Sequence, residues 1–267
     1  MKFQGARAYE HALTQCTLGP RPTGSEAARA TAAYIIASLQ ESGWEVETQQ
    51  FGYRGVTVRN IIASAGQGEL IILGAHYDTR PRADRDPHDP SRPVPGGNDG
   101  ASGVAVLLEL AQVLDPQRLS NQVWLAFFDA EDRGGLDGWP FSVGSSYLAE
   151  NLSRQPVAVI VVDMVGDADQ QLYMERSSSP ELLQEVWSTA ARLGYGDYFI
   201  PRYKWSLVDD HTPFLQRGHT ALDIIDFDYP YWHTAADTCD KISAESLERV
   251  GRVLEAWLLQ SKRSRGE

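Results

Sequence analysis

Short apolar runs alternate along the chain with stripes of apolar residues at three- and four-residue spacing. Glu69–Gly74 (ELIILG), Trp124–Phe128 (WLAFF), Ala158–Val162 and Thr220–Phe227 (TALDIIDF) are such runs. Runs of this length and continuity predict strands buried on both faces. Trp44–Phe51 alternates apolar with polar like a half-buried strand, Asn60–Ala65 is a second, and Leu172–Glu175 a short third. The helical stripes begin with Tyr9–Thr17. Ser25 reads as an N-cap to a helix that buries Ala32, Ile35, Ile36 and Leu39 and stops at Gly43. The glycine-rich segment 96–103 leads into a helix carrying Val104, Leu107, Leu108, Ala111 and Leu114. Helices are also predicted over 144–153, over Pro180–Leu193 with Gly194 as the stop, at Pro213, and from Ser243 with Leu247, Val250, Leu254, Trp257 and Leu258 inward. The tail 262–267 is expected to fray. Strands alternating with helices predict a three-layer α/β/α sandwich on a mixed, largely parallel sheet, with some antiparallel pairing near the start. No repeat, low-complexity stretch or linker divides the chain, so residues 1–267 read as a single domain.

Composition narrows the partners. A 42% apolar share supplies a core, and 36 acidic against 24 basic residues give a formal charge of −12. That balance argues against a nucleic-acid or anionic membrane surface, because phosphate contacts need clustered Lys and Arg. Residues 1–9 lack the apolar run of a signal peptide and no segment approaches membrane-spanning length. The sequence as given therefore reads as cytoplasmic, or as secreted or periplasmic if a leader was removed. Cys16 and Cys239 allow at most one bridge, which their spacing neither supports nor excludes. Thr79–Pro95, crowded with Pro, Arg and Asp, is a long aperiodic loop of the kind that usually serves function.

The candidate chemistry lies at strand exits. The Trp124 run ends in Asp129, Glu131 and Asp132, and two adjacent buried carboxylates require a cation or a shared proton. The plainer reading of this acid is a solvated strand end. His76, Asp163 and His233 stand at three further exits, and Asp99 stands at a helix start, where a capping role is the plainer reading. In an open α/β sheet these ends converge on one edge. Imidazole and carboxylate without thiolate suit Zn²⁺ in an open catalytic site. Asp78 could hold the His76 imidazole, Asp237 could do the same for His233, and Glu131 is placed as a base beside the metal.

In order along the chain, His76-x-Asp78, Asn98-Asp99-Gly-Ala-Ser-Gly103, Glu131-Asp132, Asp163-Met-Val-Gly166 and His233-Thr-x-x-Asp237-Thr238 resemble the M28-type zinc exopeptidases. The likeness runs from Gly19-Pro20-Arg21-Pro22-Thr23-Gly24-Ser25 to the last helix. Within that fold, Phe127-Phe128-Asp129-Ala130-Glu131-Asp132, Trp139, Asp209-Asp210-His211-x-Pro213-Phe214-Leu215-x-Arg217-Gly218 and Trp232-His233-Thr234 resemble the animal-type glutaminyl cyclases, which turn an N-terminal glutamine into pyroglutamate. The chain departs from them in carrying Asp132 where they carry Glu, and Asp223 where they carry His. The cyclase resemblance implies one zinc held by Asp99, Asp132 and His233. It also implies Glu131 as proton carrier with Asp163 and Asp209 as an acid network, and a substrate pocket among Trp139, Trp205, Asp223, Phe227 and Trp232. The aminopeptidase resemblance implies two zincs bridged by Asp99, with His76 and Asp163 on one and Asp132 and His233 on the other. Peptide or protein N-termini are the substrates under either. A non-catalytic binding domain is a third reading, disfavoured because every ligand position is filled.

Overall fold

Six strands form the central sheet, and their order explains the hydrophobic rhythm. The computed structural model describes residues 2–260; the expected fraying of 262–267 lies outside them. Strands β1 (Glu45–Tyr53), β2 (Val56–Ala65), β3 (Leu70–His76), β4 (Gln122–Phe128), β5 (Pro156–Asp163) and β8 (Ala221–Ile225) stand in the order β1-β2-β4-β3-β5-β8. The pairs β1–β2 and β2–β4 are antiparallel, whereas β4–β3, β3–β5 and β5–β8 are parallel. β6 (Leu172–Met174) and β7 (Phe199–Tyr203) pair separately. β7 has no counterpart in the apolar pattern, because it is mostly solvent-facing.

Helices cover both faces. α1 (Gly5–Leu18), α2 (Glu26–Glu41), α3 (Ala101–Val113), α5 (Pro180–Arg192) and α7 (Ala244–Gln260) pack on one side, and α4 (Val143–Glu150) and α6 (Thr212–Gln216) on the other. Strand alternation divides β3 accordingly: Ile71, Leu73 and Ala75 join the larger core, while Leu70 and Ile72 join the smaller one with Phe128, Leu148 and Phe214. α3 is almost wholly buried against the sheet, and Gly103 permits this, since a Cβ there would stand 2.2 Å from the Val162 carbonyl. Ser25 caps α2 by accepting the Ala28 N–H. The cap of α3 is Gly100, at φ 97°, and Asp99 precedes it, so the capping explanation for Asp99 does not hold. Cys16 and Cys239 are joined, tying α1 to the segment before α7.

Candidate metal centre and active-site cavity

Parallel pairing brings the exits of β3, β4 and β5 to one edge of the sheet. β3 ends on His76, β5 ends on Asp163, and the turn after β4 delivers Glu131 and Asp132. Asp99 comes from the loop before α3 and His233 from the loop after β8. Among the described residues, three of the six non-glycine residues with positive φ lie here: Ala130, Met164 and His233. Strained backbone of this kind persists where the surroundings over-determine it, commonly at functional sites.

Two buried carboxylates hold these loops, and they reach further than the neighbouring imidazoles. Asp78 accepts the N–H of Glu131 (3.1 Å) and of Asp132 (3.2 Å) and the Thr23 hydroxyl (3.3 Å). His76 Nδ1 faces the Asp78 backbone carbonyl at 3.2 Å and the Asp78 carboxylate at 3.7 Å, so Asp78 stands against the imidazole as well. Asp237 accepts the N–H of Asn98 (2.8 Å) and Asp99 (3.2 Å) and the Tyr229 hydroxyl (2.7 Å). Its task is the Asp99 backbone; the carboxylate within ion-pair distance of His233 Nδ1 is Asp84, at 3.7 Å. Both acids position main chain that carries ligands because a carboxylate accepts several N–H bonds at once, which an imidazole cannot offer.

The five candidate ligands form two triads that share Asp99: His76, Asp99 and Asp163, and Asp99, Asp132 and His233, each with its ligand atoms within 4.8 Å of one another. His76 Nε2 lies 3.1 Å from Asp99 Oδ1 and 3.1 Å from Asp163 Oδ1. His233 Nε2 lies 3.1 Å from Asp132 Oδ1 and 3.9 Å from Asp99 Oδ2. The second triad fits a cation on its own terms. Both Asp132 carboxylate oxygens are buried without a hydrogen-bond partner. Burial, with the charge of Asp99 next, pushes the Asp132 carboxyl well up. Burial drives His233 down to about 4, leaving a neutral ring with a lone pair to donate. A divalent cation would remove the conflict that these acids create when left alone.

Glu131 and its neighbours form the acid floor of the site. Burial, then the charges of Asp209, Asp210 and Asp132, raise the Glu131 carboxyl well above its ordinary range, against the opposing pull of His76. Burial raises Asp163 to about 7, with His76 opposing. A cavity of about 210 Å³ opens over Glu131, Asp163 and Asp209, walled by Phe141, Phe227 and Trp232. A hollow of about 610 Å³ elsewhere is lined by a single carboxylate, Glu45, and no histidine, so chemistry and not size selects the site. Trp205 backs Phe227 edge-on at 5.4 Å, and Phe227 meets Trp232 at 4.7 Å. Trp139 is not brought to this wall. It packs with Tyr53, Val58 and Val143 under the Arg133 guanidinium, because the segment 133–142 folds back on β1 and β2. Asp223 also lies behind the cavity, fully buried, 3.8 Å from His211 Nδ1.

Comparison with known proteins agrees with this geometry. The model of Peptidase family M28 matches residues 60–258. The chain belongs to peptidase family M28. Among solved structures, the Porphyromonas gingivalis glutaminyl cyclase superposes with a TM-score of 0.91 at 34% identity, covering 96% of this chain and 98% of that one. A Zn-dependent exopeptidase from Parabacteroides distasonis gives 0.92 at 30% identity over 97% and 99%. The Drosophila melanogaster glutaminyl-peptide cyclotransferase is 25% identical over 90% of this chain and 77% of its own length. This M28 chain is accordingly an enzyme of the glutaminyl cyclase and zinc exopeptidase kind, and the family supports zinc as its metal.

In this M28 site two arginines carry weight that pattern reading passed over. Arg21, fully buried, donates from Nε to the Tyr77 carbonyl (2.8 Å) and from its terminal nitrogens to Pro95 (3.1 Å) and Gly96 (2.8 Å), which pins the loop that leads to Asp99. Arg80 donates to the carbonyls of Asp132 (3.0 Å) and Gly134 (2.9 Å) and pairs with Asp84. Phe141 and the Ser206–Val208 wall also went unforeseen, since nothing local marks a loop residue as cavity-facing.

Proposed function

We propose that the chain is a zinc-dependent glutaminyl-peptide cyclotransferase that closes an N-terminal glutamine to pyroglutamate with loss of ammonia, using one zinc held by Asp99, Asp132 and His233. The observation that carries the one-zinc reading is the contrast between the triads. Each His76 nitrogen is in a hydrogen bond, to the Asp78 carbonyl and the Asp163 carboxylate, whereas neither buried oxygen of Asp132 is in one, although Oδ1 has His233 Nε2 at 3.1 Å and Arg80 at 3.6 Å. That difference favours a cation in the second triad, while the first triad also has the composition to hold one.

Zinc there supplies Lewis acidity toward the substrate amide carbonyl. The chain's own groups do the rest. The aromatic wall of Phe141, Phe227 and Trp232 encloses a space suited to one side chain, folding the glutamine so that its α-amine approaches its own γ-carbonyl carbon. As the new C–N bond forms, Glu131 takes the proton released by the amine. As the amide C–N bond breaks, Glu131 returns it to the departing nitrogen, which leaves as ammonia. Transfer of this kind contributes about 10²–10⁴-fold. Asp163 and Asp209 border the same cavity and extend the acid cluster beyond Glu131, facing the amino end of the peptide, which attacks as the free amine.

A second reading, M28 aminopeptidase hydrolysis, is favoured by Asp99 lying between the two triads as a bridging carboxylate would. Paired peptides beginning with Gln and with Leu, incubated with zinc-loaded protein and read by mass, separate the two. Loss of ammonia from the Gln peptide alone supports the cyclase; release of the first residue overturns it.

A further inference from the structure

A cation stacked on Trp232 of the cavity wall takes no part in the proposed chemistry. Arg85, exposed on the 79–95 loop, sets its guanidinium carbon 4.0 Å from the centre of the Trp232 ring. The His233 imidazole lies 3.9 Å from the same ring and Phe227 meets it at 4.7 Å. Two groups this close to one ring centre cannot share a face, so the indole is sandwiched between the candidate ligand and the arginine. Main chain fixes the stack: the Arg85 N–H donates to the His233 carbonyl (3.3 Å), and the Asp86 carboxylate accepts the Ala235 N–H (2.9 Å).

Neighbouring cations are already occupied. Arg80 pairs with Asp84, Arg82 with Asp137 and Lys204 with Asp228. Among the described residues no carboxylate lies within ion-pair distance of Arg85. A guanidinium stacked on an aromatic ring is held in orientation with its N–H edge free, and that edge matches a carboxylate. The floor of the same cavity is acidic, through Glu131, Asp163 and Asp209. A peptide therefore enters amine first, and the chain behind its first residue leaves past Trp232. An extended chain advances about 3.3–3.6 Å per residue. One ring stack beyond His233, Arg85 meets the side chains of the second and third residues.

We propose that Arg85 is a specificity-determining residue that favours peptides with Asp or Glu in the two positions after the N-terminal glutamine. The assignment rests on the cyclase reading. It also offsets the repulsion that a chain of net charge −12 exerts on acidic peptides.

The test compares Gln-Glu-Glu-Phe-amide, Gln-Gln-Gln-Phe-amide and Gln-Lys-Lys-Phe-amide on the zinc-loaded wild type, Arg85→Met and Arg85→Lys. Wild type is expected to prefer the glutamate peptide over the neutral one by about fivefold in kcat/KM, carried by KM and shrinking as salt rises. Arg85→Met should bring the ratio to about one, and Arg85→Lys should restore part of it. A purely structural role would slow all three peptides and keep the ratio. A wild-type ratio of one or less, or a ratio that survives in Arg85→Met, overturns the proposal. Calorimetric binding of the same peptides to Glu131→Gln, with and without Arg85→Met, reads the ratio in Kd. If no peptide loses ammonia, the cyclase reading fails while the binding ratio still decides the role of Arg85.

Discussion

Asp78→Ala removes one acceptor from three donors: the N–H groups of Glu131 and Asp132 and the Thr23 hydroxyl. Glu131 and Asp132 are buried, and the carboxylate they lose is fully buried too, so bulk water does not replace it. Each buried donor left unpaired costs about 1–3 kcal/mol, which puts the two N–H groups at about 2–6 kcal/mol together. A water entering the vacated space recovers part, and about 3 kcal/mol is the expected net loss. For a chain of this size that lowers Tm by about 6–12 °C. The same turn presents Asp132 to the metal, so zinc affinity should fall about 10–100-fold. Asp78→Asn keeps one carbonyl acceptor and should lose about half as much stability. Calorimetric melting of the metal-free proteins, followed by zinc competition against a chromophoric chelator, reads the two effects separately. A metal-free Asp78→Ala protein melting within about 2 °C of wild type, with zinc affinity within about threefold, would refute the claim that Asp78 holds the ligand turn.

Four further outcomes are expected. Glu131→Gln should keep its zinc and lose about 10²–10⁴-fold in turnover; retaining more than about a tenth of the wild-type rate would remove it as the proton carrier. Elemental analysis should find one zinc in wild type and in His76→Ala and none in His233→Ala or Asp132→Ala, whereas two in wild type would sink the one-zinc reading. His11, driven down to about 4 chiefly by burial, is neutral in the native state, with Gln112 donating to Nε2 and Nδ1–H directed at Tyr34. Because the unfolded imidazole binds its proton at about 6.5, His11 adds no penalty above that pH and destabilises by up to about 3 kcal/mol as pH falls toward 4. Buried acids raised to about 7, such as Asp226, have the opposite slope, so the informative quantity is the wild-type minus His11→Gln difference, and a flat difference between pH 4 and 7 would contradict the assignment. Replacing Cys16 and Cys239 together by serine should cost about 2–5 kcal/mol, since the bridge spans 223 residues, and an unchanged Tm on reduction would count against the pairing.

The sequence by itself determined the layers and the chemistry. Continuous apolar runs are what strands covered on both faces require, so β3, β4, β5 and β8 were visible, as was the acid at their exits. Once those exits share an edge, His76, Asp99, Asp132, Asp163 and His233 have to meet, because parallel order fixes which end of each strand faces the ligand. What each second acid holds was a matter of tertiary structure alone. Asp78 faces His76, two residues away, but its carboxylate and that of Asp237 also bind N–H groups 53, 54, 139 and 138 residues away. Trp139 and Asp223 read as pocket residues by position in a motif, but segment 133–142 returns onto β1 and β2 with Trp139, and Asp223, on the same face of β8 as the cavity-lining Ile225, lies deeper, behind Asp209. Burial of Arg21, the joining of Cys16 to Cys239 and the stacking of Arg85 on Trp232 likewise depend on loops whose paths carry no period. Periodicity reports the face a residue shows to its own element; which distant backbone lies opposite that face is decided only when the layers close.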